Sequence, residues 1–205
     1  DIWDWDLPTH PLLVDVTTKE GKEPIVIQLG KTGMVYTFHR DTGEPYFEIE
    51  ERPVATDGIL GDQLSPTQPF PVKPPPLIRQ GITPDDAWGV TPIEREGCRE
   101  KIAGARYGGM FTPISTKGTI MYPQVGGGAN WGGGSFDAER NILVVPVSEV
   151  PFYVRLIPKD EVDQKLAKSP MAGNPMGPPG LIKGTEYGLE QAPLLSPLYT
   201  PCTKP

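Results

Sequence analysis

The alternation of hydrophobic and polar positions predicts short β-strands over much of the chain. Short runs rich in β-branched and aromatic residues, bounded by turn-forming residues, are typical of strands rather than helices. An Asp-Thr-Gly turn at 41–43 separates two of these runs, and the second is expected to return beside the first. The predicted strands occupy residues 12–16, 25–29, 34–39, 45–50, 119–122, 141–145 and 152–157.

A helix is predicted to begin after Thr91. Thr91 is a favourable N-cap residue, Pro92 suits the first turn, and Glu94 completes a capping box. The helix should end at Gly104. A second, short amphipathic helix is predicted over residues 159–168.

The remaining segments are rich in proline and glycine. The 26 Pro and 24 Gly make up nearly a quarter of the 205 residues, and no regular element is predicted in 52–84 or 169–205. The aromatic and β-branched content argues against a disordered chain. We therefore expect an all-β architecture of short strands, long ordered loops and one or two short helices, with residues 1–205 forming a single segment.

Charge and length restrict the classes of function and fold. The net charge is −7 and no dense Lys/Arg cluster is present, which argues against nucleic acid as a partner. No apolar run approaches the roughly 20 residues that cross a bilayer. Propeller blades need about 40–50 residues each, so the chain is long enough for about four blades at most. Because it also begins inside an apparent strand, we expect it to be a piece of a longer protein.

Two segments carry candidate chemistry. The chain opens DIWDWDLP, in which tryptophans and aspartates alternate. Such alternation indicates either a strand with one polar and one apolar face or a carboxylate held over a flat pocket, and the residues alone leave both open. The glycine-rich segment 126–134 lacks the order and the following helix of a nucleotide-binding loop, so no nucleotide site is predicted.

Several stretches, in the same order along the chain, resemble the membrane-bound PQQ-dependent dehydrogenases of the quinoprotein glucose and quinate/shikimate type. The resemblance implies an eight-bladed β-propeller, of which this chain would supply about three to four blades' worth. The stretches are DIWDWDLP (1–8), GKTGMVYTFHRDTGEP (30–45), GDQLSPTQPF (61–70), AWGVTP (87–92), RYGGMFTP (106–113), NWGGGSFD (130–137) and PCTKP (201–205).

This resemblance also implies an activity. Proteins of this family hold pyrroloquinoline quinone (PQQ) with a calcium or magnesium ion near the propeller axis. They oxidise a sugar, a polyol or a cyclic hydroxy acid by hydride transfer to the quinone, and they pass the electrons to ubiquinone. The chain is accordingly expected in the periplasm, associated with the membrane through a segment outside it, and in contact with the rest of the propeller.

Asp4 matches the catalytic aspartate of this family. The resemblance implies that its carboxylate takes the alcohol proton as general base and also contacts the metal ion. Trp3 and Trp5 are expected to pack so that the Asp4 backbone is fixed. Asp1 and Asp6 are expected to be solvated residues on a strand face.

Lys31 matches the lysine that contacts the quinone oxygens, where an ammonium stabilises the charge of the reduced cofactor. It is expected to point toward the same pocket as Asp4. Asn130 and Trp131 are candidate cofactor-binding residues, with ordinary packing as the open alternative. Pro146 stands near a position where family members often carry an Asn, so either the alignment slips or that contact is lost. A lost contact would favour a catalytically degenerate propeller that serves as an interaction scaffold.

Cys98 and Cys202 both lie in stretches that share the resemblance. Because the implied compartment is oxidising, we expect a disulfide that ties the C-terminal loop to the helix near Cys98. Two unrelated buried thiols remain the alternative.

Overall fold

The computed structural model describes residues 2–59, 61–168 and 181–204, and it places most of the regular structure in short antiparallel strands. A 3₁₀ helix, Pro84–Asp86, precedes the first α-helix. The elements in chain order are β1 (Leu12–Thr17), β2 (Lys22–Leu29), β3 (Val35–His39), β4 (Ile49–Pro53), β5 (Thr67–Pro71), α1 (Pro92–Ala103), β6 (Thr119–Met121), β7 (Ser135–Asp137), β8 (Ile142–Val144), β9 (Phe152–Pro158), α2 (Lys159–Lys168) and β10 (Tyr187–Pro193).

The first sheet has the order β1-β2-β3, with both neighbours antiparallel to β2. Ile25, Ile27 and Leu29 alternate along β2 and are buried, as the period of two in a strand requires. Their face packs against Val14 of β1 and Val35 of β3. This sheet delivers the loop that follows β2, which carries Lys31.

The second sheet joins segments that are distant in sequence, in the order β10-β9-β6. Strand β9 lies in the centre, and its Val154 and Ile157 are nearly inaccessible to solvent. The described residues also form two separate hairpins, β4-β5 and β7-β8. No closed barrel occurs in the described part of the chain.

Helix α1 begins with the predicted capping box. The Thr91 side chain accepts a hydrogen bond from the Glu94 backbone, and the Glu94 carboxylate accepts one from the Thr91 backbone. Glu94, Cys98 and Ile102 recur every four residues and form the buried face of the helix. The predicted disulfide is confirmed, with 2.06 Å between the sulfurs of Cys98 and Cys202 and 5.3 Å between their Cα atoms.

The buried carboxylate of Glu94 binds the C-terminal loop. Its Oε1 accepts hydrogen bonds from the hydroxyls of Thr200 (2.5 Å) and Ser196 (3.4 Å). Its Oε2 accepts from the backbone and the hydroxyl of Thr91, at 2.9 and 2.8 Å. The Thr200 hydrogen bond is the largest of the causes that lower the pKa of Glu94, so the side chain stays ionised although it is buried.

Most of the predicted elements are confirmed. Six of the predicted strands and both helices are present, with ends that differ by up to three residues. The strand predicted over 45–50 is wrong, because only an isolated bridge joins Phe38 and Pro45, and the chain instead pairs β4 with β5.

The loops predicted over 52–84 and 169–205 contain β5 and β10. Both strands include proline, and both lie at sheet edges, where a missing N–H can face solvent. Residues 169–180 lie outside the described part of the chain. Among the described residues, neither α-helix combines the length and apolar character needed to traverse a bilayer.

Removing the disulfide from the full-length protein is expected to cost about 2–5 kcal/mol, because the bond closes a long loop in the unfolded chain. We expect the Cys98→Ser, Cys202→Ser double variant to have a lower Tm than the unmodified protein. A reductant should lower the Tm of the unmodified protein but not that of the double variant. Peptide mapping without reductant should recover one peptide pair joined through these cysteines. Free thiols at both positions would contradict the bond.

The Glu94 carboxylate is expected to make stability depend on pH. Its folded-state pKa lies below the ordinary value of 4.5, so its contribution is present above that pH and is lost as the pH falls through the lowered pKa. Glu94→Gln should lower Tm at neutral pH and flatten the acid dependence in thermal melts. The control is Glu96→Gln, since Glu96 lies on the same helix with a side chain that is 64% exposed. Equal melting curves for the two variants would refute the role of Glu94.

Candidate functional site

The opening segment alternates buried tryptophans with exposed aspartates, although it forms no strand. The Trp3 indole N–H donates to the backbone oxygen of Thr112 at 3.0 Å, and the Trp5 indole N–H donates to that of Met110 at 3.1 Å. Both rings belong to the largest hydrophobic cluster. The expected packing role of the two tryptophans is therefore confirmed, and it fixes the backbone of Asp4 from both sides.

The carboxylates of this segment converge on a single ammonium. Lys31 Nζ lies 2.8 Å from Asp4 Oδ2 and 2.7 Å from Asp6 Oδ1. The Lys31 side chain is only 10% exposed, whereas the two aspartate side chains are 58% and 55% exposed. Lys31 and Asp4 thus point toward each other, and the expectation that both face one pocket stays a prediction. The expectation that Asp6 is merely solvated is wrong, because its carboxylate binds Lys31.

The charges in this cluster stabilise one another. Burial is the largest single influence on Lys31 and lowers its pKa, but hydrogen bonds and charges from Asp4 and Asp6 together raise the pKa above 10.5. The hydrogen bond from Lys31 is the main cause that lowers the pKa of Asp6. At neutral pH the site therefore contains a fixed ammonium beside an ionised Asp6.

A glycine-rich loop, residues 126–134, lies directly on Lys31. The Gly128 N–H donates to the Lys31 carbonyl oxygen at 2.6 Å. A Cβ atom added to Gly127, which has a φ of +75°, would stand 2.4 Å from both Cβ and Cγ of Lys31. Only glycine allows this approach, so the loop restricts the aliphatic part of the lysine side chain.

Asn130 and Trp131 lie on this same loop. The Asn130 side-chain amide donates to the Gly126 carbonyl at 2.5 Å and its oxygen accepts from the Trp131 backbone at 2.8 Å, so this side chain stabilises the loop. Trp131 is 84% exposed and therefore does not pack against the described residues of this chain. Within the described residues, neither side chain is hydrogen-bonded to Asp4 or Lys31.

Pro146 borders the glycine-rich loop. A Cβ atom added to Gly132 would lie 3.5 Å from the Pro146 ring. The proline side chain has no hydrogen-bond donor. The side chain beside Gly132 is thus a ring that can pack against a ligand but cannot donate a hydrogen bond to it.

The residues present suit a quinone cofactor and a divalent cation. An ammonium has three N–H donors, and within the described part of the chain Asp4 and Asp6 take two, which leaves the third for a quinone oxygen. Carboxylate oxygens are ligands that calcium and magnesium prefer, and the half-exposed carboxylate of Asp4 can offer one beside its contact with Lys31. The exposed ring of Trp131 offers a flat apolar surface. Within the described segments no three His, Cys, Asp or Glu side chains cluster as a metal site, so a cation here would need further ligands from elsewhere.

Sequence reasoning missed Asp6, Gly127 and Gly128. Asp6 carries a usable signal, since residues i and i+2 of an extended chain share a face and Asp6 therefore lies beside Asp4. Gly127 and Gly128 gave a weaker signal. Repeated glycine indicates that the backbone closely approaches another group, but it does not indicate which residue that is.

Comparison with known proteins places these features in a context. A family model described as "PQQ: Glucose/ethanol/alcohol dehydrogenase, beta-propeller domain" matches residues 1–205. The quinoprotein glucose dehydrogenase of Escherichia coli (strain K12) is 34% identical over 223 residues, which cover 100% of this chain and 26% of that protein. The quinate/shikimate dehydrogenase (quinone) of Acinetobacter baylyi is 34% identical over 213 residues, with the same coverage.

Other matches extend the range of related proteins. The glycerol dehydrogenase large subunit of Gluconobacter thailandicus is 34% identical, over 94% of this chain and 27% of that protein. The chain thus spans about a quarter of the length of the curated relatives it matches. Among solved structures, a europium-containing methanol dehydrogenase covers 93% of this chain and 23% of its own at 14% identity, with a TM-score of 0.41, a likeness too weak to carry a conclusion.

Gly127→Ala in the full-length protein is expected to displace Lys31 and to destabilise the site. The matched control is Gly43→Ala, because Gly43 also has a φ of +75° but has no atom within 4 Å of an added Cβ. Both variants carry the backbone strain of roughly 1–2 kcal/mol. Only Gly127→Ala adds the overlap with Lys31, which should cost a further 1–3 kcal/mol in denaturant unfolding. Equal losses in the two variants would show that the loop does not press on the lysine.

Proposed function

The chain belongs to the family of PQQ-dependent glucose, ethanol and alcohol dehydrogenases, as part of the β-propeller domain. From this we propose that the whole protein oxidises a sugar, polyol or cyclic hydroxy acid with PQQ as its cofactor. The observation that carries the proposal is the cluster in which Asp4 and Asp6 bind the buried ammonium of Lys31. The expected partial propeller is confirmed, because the strand-rich fold and the family match agree.

In the proposed reaction Asp4 is the general base. Its carboxylate is more than half exposed while its backbone is fixed by the buried rings of Trp3 and Trp5, so it is rigid and accessible. A substrate hydroxyl that donates its proton to Asp4 leaves more electron density on the carbinol oxygen, which favours departure of the hydride from the carbinol carbon. When bound, PQQ supplies the electrophilic quinone carbonyl that accepts this hydride.

Lys31 is proposed to bind the quinone oxygens. Because the hydrogen bonds and charges of Asp4 and Asp6 raise its pKa, Lys31 is positively charged at neutral pH. The charge would counter the negative charge that develops on an oxygen acceptor, and it is preorganised by two carboxylates. Asp4 is also proposed as one ligand of a calcium or magnesium ion, which when bound would supply Lewis-acid polarisation of the quinone.

Asn130 and Trp131 are proposed to contact the cofactor from the glycine-rich loop. Trp131 supports this role through its exposed ring, against which a flat ligand can stack. The Asn130 amide keeps Trp131 in place by its hydrogen bonds within the loop. Both residues would act together with parts of the protein outside this chain.

The wider setting of the reaction is part of the same proposal. Two relatives, named for quinate and for quinate/shikimate, carry "quinone" in their names, which supports a quinone as electron acceptor, and we propose that it is ubiquinone. The Cys98–Cys202 disulfide supports an oxidising compartment, and we place the protein in the periplasm, associated with the membrane through another part of the protein.

A catalytically degenerate propeller acting as an interaction scaffold is the second candidate. Pro146 favours it, since a proline beside the loop offers no donor to a cofactor. The presence of Asp4 and Lys31 favours the enzyme, because the resemblance assigns them the general base and the quinone contact, and the two side chains meet at 2.8 Å.

The deciding experiment reconstitutes the full-length protein with PQQ and either calcium or magnesium. Dye reduction is then followed with glucose, quinate, glycerol and simple alcohols. Turnover of any of these substrates that requires PQQ supports the enzyme and identifies its substrate class. PQQ binding without turnover of any substrate would favour the scaffold.

Asp4→Asn is expected to lower kcat by about 10²-fold or more with the cofactor saturated, because the amide keeps the shape but cannot accept the proton. The measurement is steady-state dye reduction by the reconstituted full-length enzyme. Tm should change little, since Asp4 is largely exposed. Near-normal turnover in Asp4→Asn would show that another group is the base.

A further inference from the structure

We propose that Asp6 is the permanent counterion of Lys31 and positions its ammonium, which leaves the carboxylate of Asp4 available for the reaction. This inference rests on the proposed function, within which it gives a task to a residue that the family resemblance left unassigned. Asp6 acts through Lys31 and is therefore a positioning residue rather than a catalytic one.

Asp6 binds Lys31 at two points. Its Oδ1 lies 2.7 Å from Lys31 Nζ, and its backbone oxygen accepts a hydrogen bond from the Lys31 backbone N–H at 3.3 Å. Asp4 contacts the ammonium through its carboxylate, at 2.8 Å. Two attachments from one residue hold the base and the tip of the lysine side chain in a fixed relation to the opening segment.

The remaining freedom of Lys31 is small. Gly127 packs against Cβ and Cγ of the side chain, and Gly128 binds its carbonyl oxygen. These contacts restrict the first part of the side chain, so the direction of the ammonium depends on the outer torsions. Asp6 limits those torsions, and the third N–H of the ammonium is consequently aimed at one place.

The count of charges supports this division of tasks. One ammonium meets two carboxylates, so one carboxylate is sufficient to offset its charge. If Asp6 were absent, Asp4 would be the only counterion in the cluster, and its contact with Lys31 would compete with a substrate or a cation. Because Asp6 also binds the Lys31 backbone, the geometry assigns the role of counterion to Asp6.

A double-mutant cycle in the full-length protein tests the proposal. The variants are Asp6→Asn, Lys31→Met and the two combined. Methionine keeps most of the length of the lysine side chain without its charge. Two quantities are measured: the Kd of PQQ, by quenching of tryptophan fluorescence in the apoprotein, and kcat with PQQ saturated. A cycle isolates the coupling between the two residues.

We expect Asp6→Asn to lower kcat by about 10-fold and to weaken PQQ binding by about 5-fold, with KM for the alcohol changed by less than about 3-fold. In the Lys31→Met background, the same substitution should change kcat and Kd by less than about 2-fold. Asp6→Glu, which keeps the charge, should restore most of the loss.

Asp15→Asn is the matched control, because Asp15 pairs with Arg40 at 2.9 Å and is 51% exposed, close to the 55% of Asp6. This variant should leave kcat and Kd unchanged. An undiminished effect of Asp6→Asn in the Lys31→Met background would overturn the proposal, since Asp6 would then act on its own, for example on a cation. No effect of Asp6→Asn in the unmodified background would also overturn it.

The two proposals fail in different ways. Absence of turnover with every substrate overturns the proposed function, while the cycle in PQQ affinity still tests the link between Asp6 and Lys31. Absence of PQQ binding by the unmodified protein overturns both. If Asp6→Asn does not fold, the same cycle is measured with Asp6→Glu in its place. If Asp6→Glu lowers kcat or PQQ affinity equally in the unmodified protein and in the Lys31→Met variant, the positioning role is rejected.

Discussion

A nearly buried ammonium held between two carboxylates is the interaction on which the site depends. Burying the Lys31 side chain disfavours its charge, and the hydrogen bonds from Asp4 and Asp6 reverse that preference. The two acids must therefore stand at fixed positions, which explains why the intervening residue is a buried tryptophan anchored to the backbone of Met110. The alternation in the opening segment follows from this requirement, although no strand partner is present to impose it.

The C-terminal loop meets a comparable demand by other means. Glu94 is buried, and the hydrogen-bond donors to its carboxylate are hydroxyls of Thr200, Ser196 and Thr91 and a backbone N–H. One turn further along α1, Cys98 joins the same loop covalently. Helix α1 has a modest apolar face, and it holds the irregular C-terminal loop through the Glu94 carboxylate and the Cys98–Cys202 disulfide. In a larger domain, burial of hydrophobic surface would supply this stabilisation.

Local features could be predicted from the residues themselves, whereas non-local contacts such as the Cys98–Cys202 disulfide were predicted only with the help of the family resemblance. The capping box at Thr91 and Glu94 involves neighbours in the chain, so it predicts the start of α1 directly. Strand β10 contains Gly188 and polar residues, and its conformation depends on pairing with β9, which no local pattern reveals. In the site, the family resemblance identified Asp4 and Lys31. Asp6 was missed because its significance depends on the lysine that the fold brings to it.

The hydrogen bonds of the two indoles give the site a particular order of assembly. The contact between Asp4 and Lys31 spans 27 residues, whereas the Trp3 and Trp5 bonds span 109 and 105 residues. Closing the shorter loop costs less chain entropy, so the charged cluster can form while the segment that holds the indoles is still unfolded or unsynthesised. The charged groups thus lie near one another in sequence, but their rigidity is complete only when the chain has passed the glycine-rich loop that packs on Lys31. A cofactor that binds only the rigid site therefore binds the fully folded protein in preference to a partly folded chain.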